Sequence, residues 1–134
     1  NPVSCAAGVA NIEFMQETNL VPQALKKGNY FRERMKSLQN DLPLIGEVRG
    51  LGLMIGIELV KDRQRTPAPA ETEAVRDTCL ERGVLIGVGG VQGNVLRVQP
   101  PLVITREQLD HAVEVLAYAI ERAGVASAQP AAAR

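Results

Sequence analysis

The chain has 134 residues, with 15 basic and 15 acidic side chains, 46% hydrophobic and 22% charged residues, which describes one globular domain able to bury a core. Balanced charge with no basic stripe, no Trp and only two Tyr and two Phe excludes the usual electrostatic and base-stacking surfaces for nucleic acid. A single His and two distant cysteines leave no ligand set for a metal, and the longest apolar run, residues 51–60, is broken by Gly52, Gly56 and Glu58 and is too short to cross a bilayer.

In chain order, Asn1-Pro2 opens a helix, Asn as N-cap and Pro at the first helical position, where its missing N–H is not needed. No signal peptide is visible and no Met precedes Asn1, as in a fragment or a processed chain; a cytoplasmic domain is the expectation. Val3, Ala6, Ala7, Ala10 and Phe14 repeat at helical spacing, widened by Cys5, Ile12 and Met15. This small apolar surface suits packing against another helix or domain. Thr18-Asn19 ends it. A second helix opens at Leu20-Val21-Pro22 with Leu25, Gly28, Phe31, Met35, Leu38 and Leu42 inward, and stops at Asp41 and Pro43. Residues 44–60 predict a strand pair turning around Arg49-Gly50-Leu51-Gly52, with Leu53, Ile55, Ile57 and Leu59 alternating along the second strand. Gly56 within it suggests a bulge or a close backbone approach.

Residues 61–70, with Pro67 and Pro69, predict an exposed loop; its basic side chains Lys61, Arg63 and Arg65 are interrupted by Asp62. A third helix follows over 71–82, with Ala74, Val75 and Cys79 inward and Gly83 as left-handed cap. Cys5 and Cys79 are expected as buried thiols rather than a disulfide. Two short runs, 84–88 and 95–98, flank Gly89-Gly90-Val91-Gln92-Gly93-Asn94 and predict a hairpin, which Pro100-Pro101 terminates. Thr105-Arg106-Glu107-Gln108 matches a capping box, with Ile104 and Leu109 placed as a staple. The last helix carries Leu109, Ala112, Val113, Leu116 and Ile120 to Gly124. Residues 125–134 are Ala-rich and expected as a flexible tail. The prediction is an α+β domain over 1–124 in the order α-α-β-β-α-β-β-α, with a small antiparallel or mixed sheet of three to four strands.

Neither glycine cluster is a dinucleotide loop. Gly50, Gly52 and Gly56 have the wrong spacing inside a strand, and the cluster at 87–93 is followed by a strand, whereas a pyrophosphate needs a helix N-terminus. Ser4 has no base within local reach, and His111 reads as a solvated helix residue. Glu58 reads as an outward-facing carboxylate. Arg97 stands apart. Alternation puts it with Val95 on one face of the last strand and Leu96 with Val98 on the other. A guanidinium amid apolar strand residues needs an anionic counterpart, either a structural carboxylate or a ligand. The glycines before it and the prolines after it stiffen a strand end, where an arginine fork can be aimed at a carboxylate.

Four stretches together resemble the C-terminal part of the class III, fold type I pyridoxal-phosphate aminotransferases: NPVSCAAGVANIEFM at 1–15, GEVRGLGLMIGIELV at 46–60, RGVLIGVGG at 82–90 and NVLRVQPPLVITREQLDHAVEVL at 94–116. Within the family, GVGGVQGNVLRVQPPL looks most like the alanine–glyoxylate type 2 and omega-aminotransferase branch. The resemblance implies that Arg97 binds the carboxylate of an amino acid or of a 2-oxo acid such as glyoxylate or pyruvate. It also implies that the lysine holding pyridoxal phosphate, the aspartate at the pyridine nitrogen and most phosphate contacts belong to a large domain outside these 134 residues. The threonine reaching the partner subunit's phosphate lies a few residues before Asn1, and the segment completing the small domain is absent too. Lys26, Lys27, Lys36 and Lys61 match no catalytic position, so the chain is expected to anchor substrate and to be inactive alone, within a homo-oligomeric enzyme. The alternative is a non-catalytic α+β module that binds small acids through Arg97 or dimerises through the first helix.

Overall fold

The computed structural model describes residues 1–128. Helix α1 (Pro2–Glu17) is followed by α2 (Leu20–Ser37), strands β1 (Ile45–Leu51) and β2 (Met54–Leu59), helix α3 (Pro69–Glu81), strands β3 (Gly87–Gly89) and β4 (Val95–Val98), and helix α4 (Arg106–Ala128). The expected order is met, and the sheet is a four-stranded antiparallel one in the order β1-β2-β4-β3. The long connection through α3 brings β4 beside β2 and leaves β3 as an edge.

Period-two alternation sorts the strands into two faces. Val48, Ile55, Ile57 and Leu96 are buried and join Phe31 and Met35 of α2, Val75 and Cys79 of α3, and Leu116 and Ile120 of α4 in one core. On the opposite face, register aligns Arg49, Gly56, Arg97 and Gly87 across all four strands. Helices thus cover one side of the sheet only.

Local chemistry explains the boundaries. The Asn1 side chain accepts from the Val3 N–H at 3.0 Å, and Pro69 occupies the first turn of α3, which therefore starts two residues before the prediction. The capping box of α4 forms as expected: Thr105 N–H donates to Gln108 Oε1 at 2.9 Å and Gln108 N–H to Thr105 Oγ1 at 3.2 Å. Gly83 has φ 79° and caps α3. Helix α2 stops at Ser37, before the predicted end, because Leu38–Asp41 form a turn in which Leu42 N–H donates to Leu38 O at 2.8 Å.

Several readings are corrected. Gly52 and Leu53, not Arg49–Gly52, make the first hairpin turn, since Arg49, Gly50 and Leu51 all pair across to β2. The register shift lies in β1 between Ile45 and Glu47, and Gly56 sits in regular pairing. β3 starts at Gly87 rather than Val84. Leu25 and Ala74 are exposed; Ala24 and Thr72 are buried in their places. The Thr72 hydroxyl donates back to Ala68 O at 2.7 Å, which makes a polar residue acceptable there. α4 runs to Ala128, four residues into the expected tail, and residues 129–134 lie outside the described residues. The largest correction concerns α1. None of its residues is buried, so Cys5 is exposed while Cys79 is buried. A helix apolar on every side ordinarily sits inside a larger core; among the described residues α1 packs mainly on α2, which leaves it exposed.

Candidate functional site

β4 is an interior strand, so Arg97 is braced from both sides. Its neighbours across the ladder are Gly56 on β2 and Gly87 on β3. Neither has a side chain, and the guanidinium stem lies over a bare strip of backbone. A Cβ built on Gly89 would come 2.7 Å from Arg97 Cδ and 3.8 Å from Nη1, which places the side chain along β3. The Nη2 donates to Gln99 Oε1 at 3.2 Å. Arg97 is exposed, and no carboxylate pairs with it among the described residues.

The adjoining part of the same face is, by contrast, closed by ion pairs. Arg49 Nη1 reaches Glu47 Oε2 at 2.8 Å and Glu58 Oε2 at 3.0 Å, and Arg65 Nη2 reaches Glu58 Oε2 at 3.0 Å. Burial pushes the Glu58 carboxyl up, but the Arg49 hydrogen bond and the charges of Arg65 and Arg49 outweigh it, so its pKa lies below the ordinary value. Two carboxylates facing each other across β1 and β2 repel; the two arginines between them remove the penalty. Glu58 faces outward as expected, and the predicted basic loop is tied down through Arg65.

The second hairpin is held by Asn94, which is buried. Its Nδ2 donates to Leu59 O at 2.9 Å, and its carbonyl accepts from Leu59 N–H at 2.8 Å. Val95 is buried against the Gly56 and Gly90 backbones although it shares Arg97's face. Beyond β4, Lys27 Nζ donates to Leu102 O at 3.3 Å and Ile104 N–H to Pro101 O at 3.0 Å, so the Pro100–Ile104 segment is anchored to α2 and to itself. Arg97, Gly87, Gln99, Pro100 and Pro101 line one part of an open groove of about 1060 Å³, which Glu107 and His111 of α4 also line.

Sequence reasoning found Arg97 and the prolines but missed Gln99 and the glycine flanks of the fork. Gln99 carried no signal of its own, and the flanks depend on which strands pair. Ser4 and His111 are both exposed, on α1 and α4 respectively, and the structure does not join them into one site. Among the described residues no three His, Cys, Asp or Glu gather as metal ligands, and no helix is long and apolar enough to cross a membrane.

Residues 1–120 match the family described as aminotransferase class-III. The chain is 43% identical over 123 residues to alanine–glyoxylate aminotransferase 2 homolog 2 of Arabidopsis thaliana, covering 91% of this chain and 26% of that protein. It is 40% identical to an alanine/serine racemase of Pyrococcus horikoshii, covering 90% and 25%. Among solved structures, an Arthrobacter phospholyase in complex with phosphoethanolamine superimposes with a TM-score of 0.86 at 39% identity, covering 90% of this chain and 29% of that one. The chain spans about a quarter of the length of the curated relatives it matches.

Proposed function

Because the chain belongs to the class-III aminotransferase family, we propose that it is the substrate-anchoring small domain of a pyridoxal-phosphate enzyme that moves an amino group from an amino acid or omega-amino donor to a 2-oxo acid such as glyoxylate or pyruvate. The observation that carries this reading is the state of Arg97. Among the described residues it is the strand arginine of the open sheet face that has no carboxylate, beside Arg49, which has two. A planar fork presents two parallel N–H donors to a carboxylate. Each charge-assisted bond is worth about 1.5–3 kcal/mol, more where a second lobe excludes water. Holding the acid end fixes the direction in which the amino or oxo carbon points, which is how a remote contact contributes to rate.

The residues of this chain do not fit pyridoxal phosphate as a covalent holder. Lys26, Lys36 and Lys61 are exposed, Lys61 beside Glu71, and the ammonium of Lys27 is engaged with Leu102 O. When bound, the group supplies electron withdrawal from the substrate carbon and a carrier for the amine; the lysine that holds it would belong to the remainder of the protein. Relatives named as transferases, racemases and lyases all match this same region, which supports assigning it a task common to them, such as holding the substrate. The choice of reaction and of donor side chain then rests with the remainder. Exposed apolar side chains on α1 support docking of that remainder, in an enzyme that works as a homo-oligomer.

The test is Arg97→Ala in the full-length enzyme. The KM for pyruvate or glyoxylate is expected to rise about a hundredfold, from the loss of two charge-assisted bonds, with little change for an amine donor that carries no carboxylate. An unchanged KM for both oxo acids would refute the anchoring role.

A further inference from the structure

The path of the Arg97 side chain is set by a missing atom. Gly87 and Gly89 both sit on β3 beside β4, and neither has the positive φ that would itself demand glycine. Their surroundings differ. A Cβ on Gly87 would meet Arg97 Cβ at 3.6 Å, an ordinary contact, whereas a Cβ on Gly89 would lie 2.7 Å from Arg97 Cδ. The stem of the arginine therefore occupies the volume that any other residue at position 89 would fill. At its far end, Gln99 Oε1 accepts from Nη2 at 3.2 Å. The glutamine is neutral, so it orients one arm of the fork without cancelling the charge. An aspartate or glutamate there would have occupied the fork as Glu47 and Glu58 occupy Arg49.

We propose that Gly89 and Gln99 are positioning residues for substrate: Gly89 leaves the track along which the Arg97 stem lies, and Gln99 takes one Nη2 hydrogen and so sets the rotation of the fork, leaving one paired N–H edge of the guanidinium to be presented to the carboxylate. This rests on the anchoring role of Arg97 and adds a claim about how its geometry is set. Gly89 selects against any β-carbon, and Gln99 against any acid. Both act through Arg97 and neither need touch the substrate.

The experiment compares four single variants of the full-length enzyme: Gly89→Ala, Gly87→Ala, Gln99→Glu and Arg97→Ala, each read as KM and kcat for pyruvate together with the thermal midpoint. Displacing a binding group by about 1 Å costs on the order of a hundredfold where alignment matters. Gly89→Ala is accordingly expected to raise KM for pyruvate about tenfold or more, and clearly further than Gly87→Ala, whose Cβ would make only an ordinary 3.6 Å contact with Arg97 Cβ. Gln99→Glu is expected to raise KM comparably, with a thermal midpoint equal to or above that of the parent, because it adds an internal ion pair. Equal KM values for Gly87→Ala and Gly89→Ala would overturn the positioning claim for Gly89, and an unchanged KM for Gln99→Glu would overturn it for Gln99. If Arg97→Ala itself left KM unchanged, the anchoring reading would fall first. A loss in Arg97→Ala with none in Gly89→Ala and Gln99→Glu would leave anchoring intact and remove only this inference.

Discussion

Cys79 and Cys5 carry the same thiol in opposite surroundings. Cys79 has no accessible surface, and burial pushes its pKa up to about 11, because a thiolate is poorly solvated in an apolar core. Cys5 projects from α1 into solvent. At pH 8, a thiol reagent should modify one cysteine per folded chain and two after denaturation; modification of Cys79 in the folded state would contradict its packing. The sign for stability follows from the raised value. The unfolded chain releases the proton near the ordinary pKa and the folded chain only near 11, so stability falls as pH rises through that window. At this scale Cys79 was legible from helical spacing with Val75. Cys5 was not, since the same apolar spacing occurs on a helix with nothing packed over it. Arg97 was legible as a charge within an apolar strand. What leaves it without a carboxylate partner among the described residues, the glycines opposite it on β2 and β3 and the capture of Glu58 by Arg49 and Arg65, was invisible until the strands were paired.

Among the elements, α2 meets the first hairpin through two glycines. A Cβ on Gly28 would lie 1.8 Å from the Gly52 carbonyl oxygen and 2.1 Å from its carbon, so helix and turn are in backbone contact. Alanine is intrinsically better in a helix than glycine by roughly 0.5–1 kcal/mol, but here the obstacle is backbone and cannot rotate aside. Gly28→Ala is therefore expected to destabilise by about 1–3 kcal/mol net, seen as a lower urea midpoint with little change in slope. A gain in stability would show that the turn moves freely. The helical stripe placed Gly28 inward without revealing what it faced. Caps were read well because Asn1, Thr105, Gln108 and Gly83 act within a few residues of themselves. The turn of the first hairpin was displaced because Gly50 and Gly52, both with positive φ, offered two competing positions.

Over the whole molecule, three helices and one sheet face close a core while α1 and the other sheet face stay open. Val3, Val9, Ile12 and Phe14 of α1 are each about half exposed or more. Exposed apolar side chains all round one helix mark a surface for interaction, and this chain spans about a quarter of the length of its family relatives. The isolated chain is expected to self-associate in sedimentation at high concentration, and Ile12→Glu with Phe14→Glu should shift it toward monomer without lowering its thermal midpoint, since neither side chain is in the core. A parent chain that stays monomeric throughout would remove the case for an interaction face on α1.

The α+β class, the order of elements, the caps and the candidate arginine were settled by the amino-acid sequence alone, because each depends on neighbours a few residues away or on hydrophobic period. The tertiary structure alone decided that β4 lies between β2 and β3, that glycines flank Arg97 on both sides, and that Arg49 rather than Arg97 takes the carboxylates. Those facts join residues tens of positions apart, and no local preference encodes which distant strand will supply a side chain and which will supply none.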